Sequence, residues 1–202
     1  MYSSGAHSGC SGYPVDLCAR DHFNPTSFEL APPTVEEMHQ RIEQKLLTHP
    51  WVVYEVEAQV VGYAHASVYR ARPAYQWSVE VSVYLHERWR GQGIGRALYT
   101  SLFALLRLQG FFNVYAGITL PNAASVALHE RMGLRPLGVY QQVGYKLGAW
   151  HDVGWWQGTL QSHVPEPAAP LSFAEAQTLD SWEAVLASGM LVLDKDQLPP
   201  LA

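Results

Sequence analysis

The chain has 202 residues and a mass of 22.5 kDa, the size of one ordinary domain with room for appended segments. Apolar residues make up 48%, aromatics 12% and charged residues 15%, a composition that builds a core and excludes a disordered chain. The formal net charge of -5 argues against a nucleic-acid binder and a polybasic membrane-surface protein, and no apolar run approaches the roughly 18 residues a membrane helix needs.

Residues Met1 to Cys10 carry neither a cationic start nor an apolar block, so no secretory signal is expected. Cys10 and Cys18 are too few to staple a fold of this size and lack zinc-site spacing. They read as free thiols of a reducing compartment, which points to the cytoplasm. The nine histidines form neither HxxxH nor HExxH spacing, and no metal is expected.

Three zones follow one another. Residues 1–21 are Gly/Ser-rich and atypical. Residues 22–160 carry dense structural signals. Residues 161–202 begin with a Pro-rich linker, 163–170, followed by an amphipathic stretch at 172–187 with Phe173, Ala176, Leu179, Trp182 and Leu186 at helical spacing. In the middle zone, Thr34 as N-cap and Glu37 at the capping-box position open a helix to about residue 47. Two strands, Val52–Val56 and Val60–Val68, surround a turn near Ala58. Trp77–Leu85 alternates as a third strand. A turn containing Gly91, Gly93 and Gly95 precedes a helix with Ile94, Leu98, Leu102, Leu105 and Leu106 on one face and Gly110 as its stop. Phe112–Ile118 is a strand, Pro121-Asn122 starts a helix that ends at Gly133, and Gly138–Tyr145 and His151–Gln161 are the last strands. The pattern is α/β.

The glycine turn between strand and helix is the most informative segment. Glycine lets the backbone take positive φ and approach a ligand, and the helix start offers unpaired N–H groups at the positive end of its dipole. Arg90 and Arg96 can add charge-assisted contacts to the same anion. A P-loop would need Lys and Ser/Thr here. A dinucleotide fold would place its turn after the first strand and a third glycine where Arg96 stands.

The pattern Arg90-x-x-Gly93-x-Gly95 resembles the cofactor signature of the GNAT N-acetyltransferases. The chain is especially similar to the phosphinothricin and methionine sulfoximine branch, through Asn24–Val35, Trp51–Gly62, Arg70–Tyr75, Trp77–Leu85, Arg90–Tyr99, Gln109–Phe112, Leu120–Gly133 and Gly138–Trp156. The resemblance implies a central mixed, mostly antiparallel twisted sheet flanked by helices. It implies acetyl-CoA as cosubstrate, a small amino-acid-like acceptor, acyltransferase activity, a resistance role and a homodimer. In such a fold the backbone of Val83, Tyr84 and Leu85 pairs with the pantetheine arm. Arg90, Gly91, Gln92, Gly93, Ile94, Gly95 and Arg96 hold the pyrophosphate, and Asn122 also contacts the arm. The first strand of the family pattern looks missing here, replaced by the short Gly/Ser-rich start. The C-terminal helix is expected to cover the surface so exposed.

Glu80 is the sole acid from Arg70 to His86 and sits on an otherwise apolar strand. An unpaired buried charge there needs a reason. Spacing alone leaves a general base, a solvated Glu or a salt bridge open; the resemblance implies the base. Arg70 and Arg72, two apart on a strand-like segment, read as a carboxylate clamp or a solvated loop, and the resemblance places them with Phe28, Tyr75, Glu80 and Ser82 around the acceptor. His129 reads as a structural helix histidine, whereas the resemblance implies a catalytic role, protonating the thiolate or ordering water at Glu80. Tyr140 and Tyr145 are alternative acids. No Cys or Ser stands beside a base, so direct transfer is expected. The alternatives are another amine or a protein N-terminus as acceptor, or a binding module without turnover.

Overall fold

The computed structural model describes residues 27–193. Helix α1 (Val35–Leu46) starts as the capping box dictates. The Thr34 hydroxyl accepts from Glu37 N–H and the Glu37 carboxylate accepts from Thr34 N–H, which satisfies two donors at the helix start. Strands β1 (Trp51–Val56) and β2 (Gln59–Val68) form a hairpin whose two turn residues, Glu57 and Ala58, both take positive φ. That geometry matches the right-handed twist of the paired strands. Then come β3 (Ser78–Leu85), α2 (Ile94–Gln109), β4 (Asn113–Leu120), α3 (Ala123–Arg131), β5 (Arg135–Lys146), β6 (Ala149–Thr159), and the short helices α4 (Phe173–Gln177) and α5 (Trp182–Leu186).

The strands form one sheet in the order β1-β2-β3-β4-β6-β5. Every pairing is antiparallel except β3 with β4, so the mixed, mostly antiparallel sheet expected from the sequence is present. Alternation on β3 sends Val79 and Val81 into the main core against Ile94, Leu98 and Leu102 of α2. The residues between them, Glu80 and Ser82, lie on the opposite face. On that face Met38 and Ile42 of α1 cover Trp51, Val53 and Tyr63 in a second apolar cluster. No helix among the described residues is long and apolar enough to cross a membrane.

The C-terminal segment runs the length of α2. Gln109 Nε2 donates to the Leu171 carbonyl at 2.9 Å, Ser101 Oγ to the Leu186 carbonyl at 2.6 Å, and Arg96 Nη2 to the Val192 carbonyl at 2.6 Å. Phe173, Ala176, Trp182 and Leu186 join the main core. The expected single helix over 172–187 is two helices: the chain turns between Thr178 and Ser181. The Thr178 hydroxyl donates to the Glu175 carbonyl, and Trp182 packs edge-on against Phe173. Leu179, fifth member of the apolar stripe, stays 37% exposed because the turn takes it off the buried face. The Pro-rich stretch is also tied down, with Trp77 Nε1 donating to the Ala168 carbonyl and His163 stacked on Phe112. The expectations for residues 1–21, the absent first strand among them, lie outside the described residues.

Three histidines are held in burial. His49 stacks on Phe111, His65 on Trp51, and His129 meets the fully buried Tyr99. Loss of solvent disfavours the imidazolium in each case. It pushes His49 down to about 4 and His65 to about 3, and lowers His129.

Deleting residues 163–202 would uncover the back of α2, where each large side chain contributes about 1.5–3 kcal/mol by burial. A markedly lower melting temperature and loss of solubility are expected; an unchanged melt would show that the segment is dispensable. The histidines set the acid limit. Their folded values lie below the unfolded value of about 6.5. The stability they contribute is therefore complete above about pH 6.5 and is lost as the pH falls towards 4, because only the unfolded chain takes up their protons. Glu80, raised by burial, acts in the opposite sense but is one group against three. Melting followed from pH 7.5 to 5 should fall steadily; a flat profile would contradict the burial.

Candidate active site

The site is built where β3 leaves β4. The two strands pair in parallel only at Ser78, Val79 and Glu80 against Asn113, Val114 and Tyr115. Beyond that point Val81–Leu85 pair only with β2, and Ala116–Leu120 only with β6. Both strands therefore turn an unpaired edge towards the gap between them. Buried backbone donors and acceptors require partners, so the gap suits an extended chain with amide groups of its own.

The glycine turn closes the far end of β3. Gly91 and Gly93 take φ of 78° and 82°, the left-handed region that glycine adopts without strain. Gly93 is the N-cap of α2 and, having no side chain, leaves the first N–H groups of the helix uncapped. A Cβ at Gly91 would meet nothing within 4 Å, so the turn is open there, while at Gly93 a Cβ would meet the Leu193 side chain at 3.5 Å. Gly95 serves packing: a Cβ there would press on Leu128 at 3.0 Å and Leu85 at 3.3 Å. Arg90 Nε donates to the Leu85 carbonyl at 3.3 Å and Gln92 Nε2 to the Arg88 carbonyl at 2.8 Å. Arg96 extends from the first turn of α2 to the C-terminal segment. Asn122 caps α3, its Oδ1 accepting from Ser125 N–H, and it follows directly on the unpaired end of β4.

Glu80 stands at the point of divergence. Its register neighbours are Ser67 on β2 and Tyr115 on β4. It is half-buried, and among the described residues its carboxylate has no hydrogen-bond or ion-pair partner. Burial raises its pKa, partly offset by the positive charges of Lys45 and Arg70. A carboxylate so placed is a stronger base than one in water.

Two cavities lie near it, one lined by its register neighbour Tyr115 and the other by Ser82, two residues along β3. One, of about 140 Å³, is lined by Tyr69, Arg70, Tyr115, Leu137, Gly138, Tyr140 and Trp155. Tyr69 stacks on Tyr115 with ring centroids 4.0 Å apart, the Arg70 guanidinium lies 5.2 Å from the Tyr69 ring, and Tyr75 meets Tyr69 edge-on. The other, of about 240 Å³, lies under α1 and includes Lys45, Trp51, His65, Ser82 and Tyr84. Ser27 and Glu29 also line it, and between them Phe28 covers Gly144, where its ring leaves no room for a Cβ, close to His151.

The expected residues are not all brought together. Arg70 lines the first cavity and Ser82 the second; Tyr75 reaches the first only through the Tyr69 ring, and Glu80 stands in register with its Tyr115. Arg72 does not join them: β2 ends at Val68, and Arg72 is the exposed N-cap of a short turn, Pro73–Tyr75. The strand-like pair of guanidinium groups is therefore absent, because the strand stops at Val68 and the chain bends at residues 69, 71 and 72. His129 lies on the α2 side of the sheet, 4% exposed. Its Nε2 is 2.9 Å from the Tyr99 hydroxyl and its Nδ1 2.7 Å from the Ser125 carbonyl. With both ring nitrogens engaged inside the core, it is not placed to meet a thiolate or a water at Glu80. Tyr69, Tyr115, Trp155, Lys45 and His65 were not anticipated as site residues. Period-two alternation puts His65 on the Tyr63 face of β2, but only the β2–β3 register sets it opposite Ser82.

Comparison with known proteins bears on this geometry. Residues 17–155 match the family model for the acetyltransferase (GNAT) domain. Phosphinothricin N-acetyltransferase of Streptomyces viridochromogenes is 42% identical over 154 residues, 75% of this chain and 83% of that protein. The L-methionine sulfoximine/L-methionine sulfone acetyltransferase of Salmonella typhimurium is 36% identical over 125 residues, 62% of this chain and 73% of that one. Among solved structures, a phosphinothricin acetyltransferase from Sinorhizobium meliloti in complex with acetyl-CoA superposes with a TM-score of 0.72 at 30% identity, covering 79% of this chain and 90% of that one. A sheet that opens between two parallel strands above a glycine-capped helix thus has close counterparts in sequence and structure, and the chain belongs to the GNAT acetyltransferase family.

Proposed function

We propose that the protein transfers the acetyl group of acetyl-CoA to the α-amine of a small amino-acid-like acceptor of the phosphinothricin or methionine sulfoximine and sulfone kind. The observation that carries this reading is Glu80: an unpartnered, half-buried carboxylate on the strand that also leads into the glycine turn. In this reading the open edge at Val83, Tyr84 and Leu85 pairs with the pantetheine amides. The N–H groups of Gly91 to Gly95, with Arg90 and Arg96, hold the pyrophosphate, and Asn122 flanks the arm from β4. Backbone N–H groups near Val83 meet the oxygen of the thioester carbonyl as it gains charge.

An ammonium cannot attack a thioester, so the first task of the site is to remove a proton. Glu80 accepts it, directly or through one water. The free amine nitrogen then forms the new C–N bond at the carbonyl carbon while the C–S bond breaks. The thiolate leaves with the electron pair and takes up the proton that the newly acylated nitrogen sheds, giving CoA and the N-acetylated acceptor. Arg70 and Ser82 orient the acceptor, with Tyr75 and Phe28 as its walls. Acting in the cytoplasm, such an enzyme confers resistance to a toxic amino-acid analogue.

A homodimer fits the same reading. Strand β5 is an edge of the sheet and exposes Leu137, Val139, Tyr140, Val143 and Tyr145, each at least half accessible. An apolar edge of that kind is a surface for a second copy, and Leu137 and Tyr140 also line the cavity of Arg70.

Glu80→Gln keeps shape and removes the base. Turnover with phosphinothricin or methionine sulfone should fall about 10²–10⁴-fold, with acetyl-CoA affinity unchanged, measured by thiol release and by direct titration. Full turnover in the variant would remove Glu80 from the chemistry.

A further inference from the structure

The cavity beneath α1 holds an unbalanced set of polar groups. Lys45, in the last turn of α1, is half-buried, and among the described residues its ammonium has no hydrogen-bond or ion-pair partner. Trp51 is 3% exposed and its indole Nε1, which can only donate, is buried without a partner. His65 Nδ1 is buried and unpartnered as well, and its ring stacks on that of Trp51 with centroids 4.5 Å apart. Ser82 supplies a hydroxyl from β3. The neighbouring Arg41 and Glu29 are paired to each other at 2.7 Å, so they add no net charge. What remains in the lining of a space of about 240 Å³ is the Lys45 ammonium, whose charge is offset only by Glu80 outside that lining, and several donors. Groups of this kind are costly to bury unmatched, and together they fit one compact anion.

The reaction proposed above supplies such an anion. In an α-amino acid the carboxylate is attached to the carbon that bears the reacting amine. Bringing the amine to Glu80 therefore brings a second carboxylate close to the first, and like charges repel unless a cation stands between or beside them. Lys45 is that cation on the Ser82 side, and its charge reaches Glu80. The cavity on the other side of Glu80 is different in kind. Its walls are Tyr69, Tyr115, Tyr140 and Trp155, with Arg70 at one edge, which suits the chain of an acceptor ending in a polar oxygen-bearing group.

We infer that the cavity under α1 is the subsite for the acceptor's α-carboxylate, with the Lys45 ammonium as its counter-ion and Trp51, His65 and Ser82 as further hydrogen-bonding partners. The inference rests on the proposed acetyl transfer and adds a requirement to it: the acceptor is a free amino acid, not an amine whose neighbouring carboxyl is blocked.

The test compares L-methionine sulfone with its α-carboxamide as acceptors, in the full-length protein, by thiol release from acetyl-CoA. The wild type is expected to favour the acid. Lys45→Met should reduce the acid-to-amide ratio of kcat/KM about tenfold or more, mainly through KM for the acid. Lys45→Arg should restore most of the ratio, and Arg70→Met should leave it unchanged while weakening both acceptors. A wild type that acetylates the amide as efficiently as the acid overturns the inference whatever the variants do. So does an unchanged ratio in a folded Lys45→Met protein. Amide turnover persisting in Lys45→Met while acid turnover collapses supports it. Absence of turnover with either acceptor in the wild type overturns both the subsite and the function beneath it.

Discussion

Strands β3 and β4 run parallel through three register pairs, from Ser78–Asn113 to Glu80–Tyr115, and then separate. Each continues for several residues with one edge paired and the other free. A sheet interior with free edges carries backbone groups that demand partners, and every other feature of the site is arranged around that demand. Glu80 is placed at the last paired position. The glycine turn and the start of α2 lie where the free edge of β3 ends. Asn122 follows the free edge of β4. A separation of this kind holds only if the elements on either side are rigid, and α2 is the rigid element: it packs against β1, β2 and β3 and is buried along most of its length.

The C-terminal segment belongs to that support. Its carbonyls from Leu171, Leu186 and Val192 are held by Gln109, Ser101 and Arg96, at the end, middle and start of α2. The same helix start that faces the glycine turn is therefore anchored from behind. Charge is distributed with the same economy. The chain is net negative, yet the positive charges of Lys45 and Arg70 both act on the half-buried carboxylate of Glu80. Two cavities of different character lie near that strand position, one rich in donors and lined by Ser82, the other walled by aromatic rings that include its register neighbour Tyr115.

Much of this was legible in the sequence, because local physics carried it. The capping box at Thr34 and Glu37, the alternation of β3, Gly91 and Gly93 before Ile94 and the left-handed stop at Gly110 each dictate a local conformation that the fold retains. Glu80 stood out as a charge on an apolar strand. What was not legible depended on pairing between distant segments. Lys45 and His65 look ordinary in sequence, and only the packing of α1 on β2 and the β2–β3 register bring them to Ser82. Arg72 reads as a partner of Arg70 in sequence, but β2 ends at Val68 and the chain bends before and at Arg72. His129 looked available until Tyr99 and the Ser125 carbonyl took both ring nitrogens. The apolar stripe at 173–186 has the spacing of one helix, and the turn at Thr178–Ser181 divides it into α4 and α5.

The dependence of the site on the free edge of β3 can be measured directly by amide hydrogen exchange with and without acetyl-CoA. Added acetyl-CoA is expected to slow exchange in the stretch Val81–Leu85 and in the turn from Gly91 to Arg96, and to leave the already paired hairpin β1–β2 unchanged. Protection confined to other segments, or none in Val81–Leu85 at saturating acetyl-CoA, would contradict the assignment of this edge as the place where the cosubstrate binds.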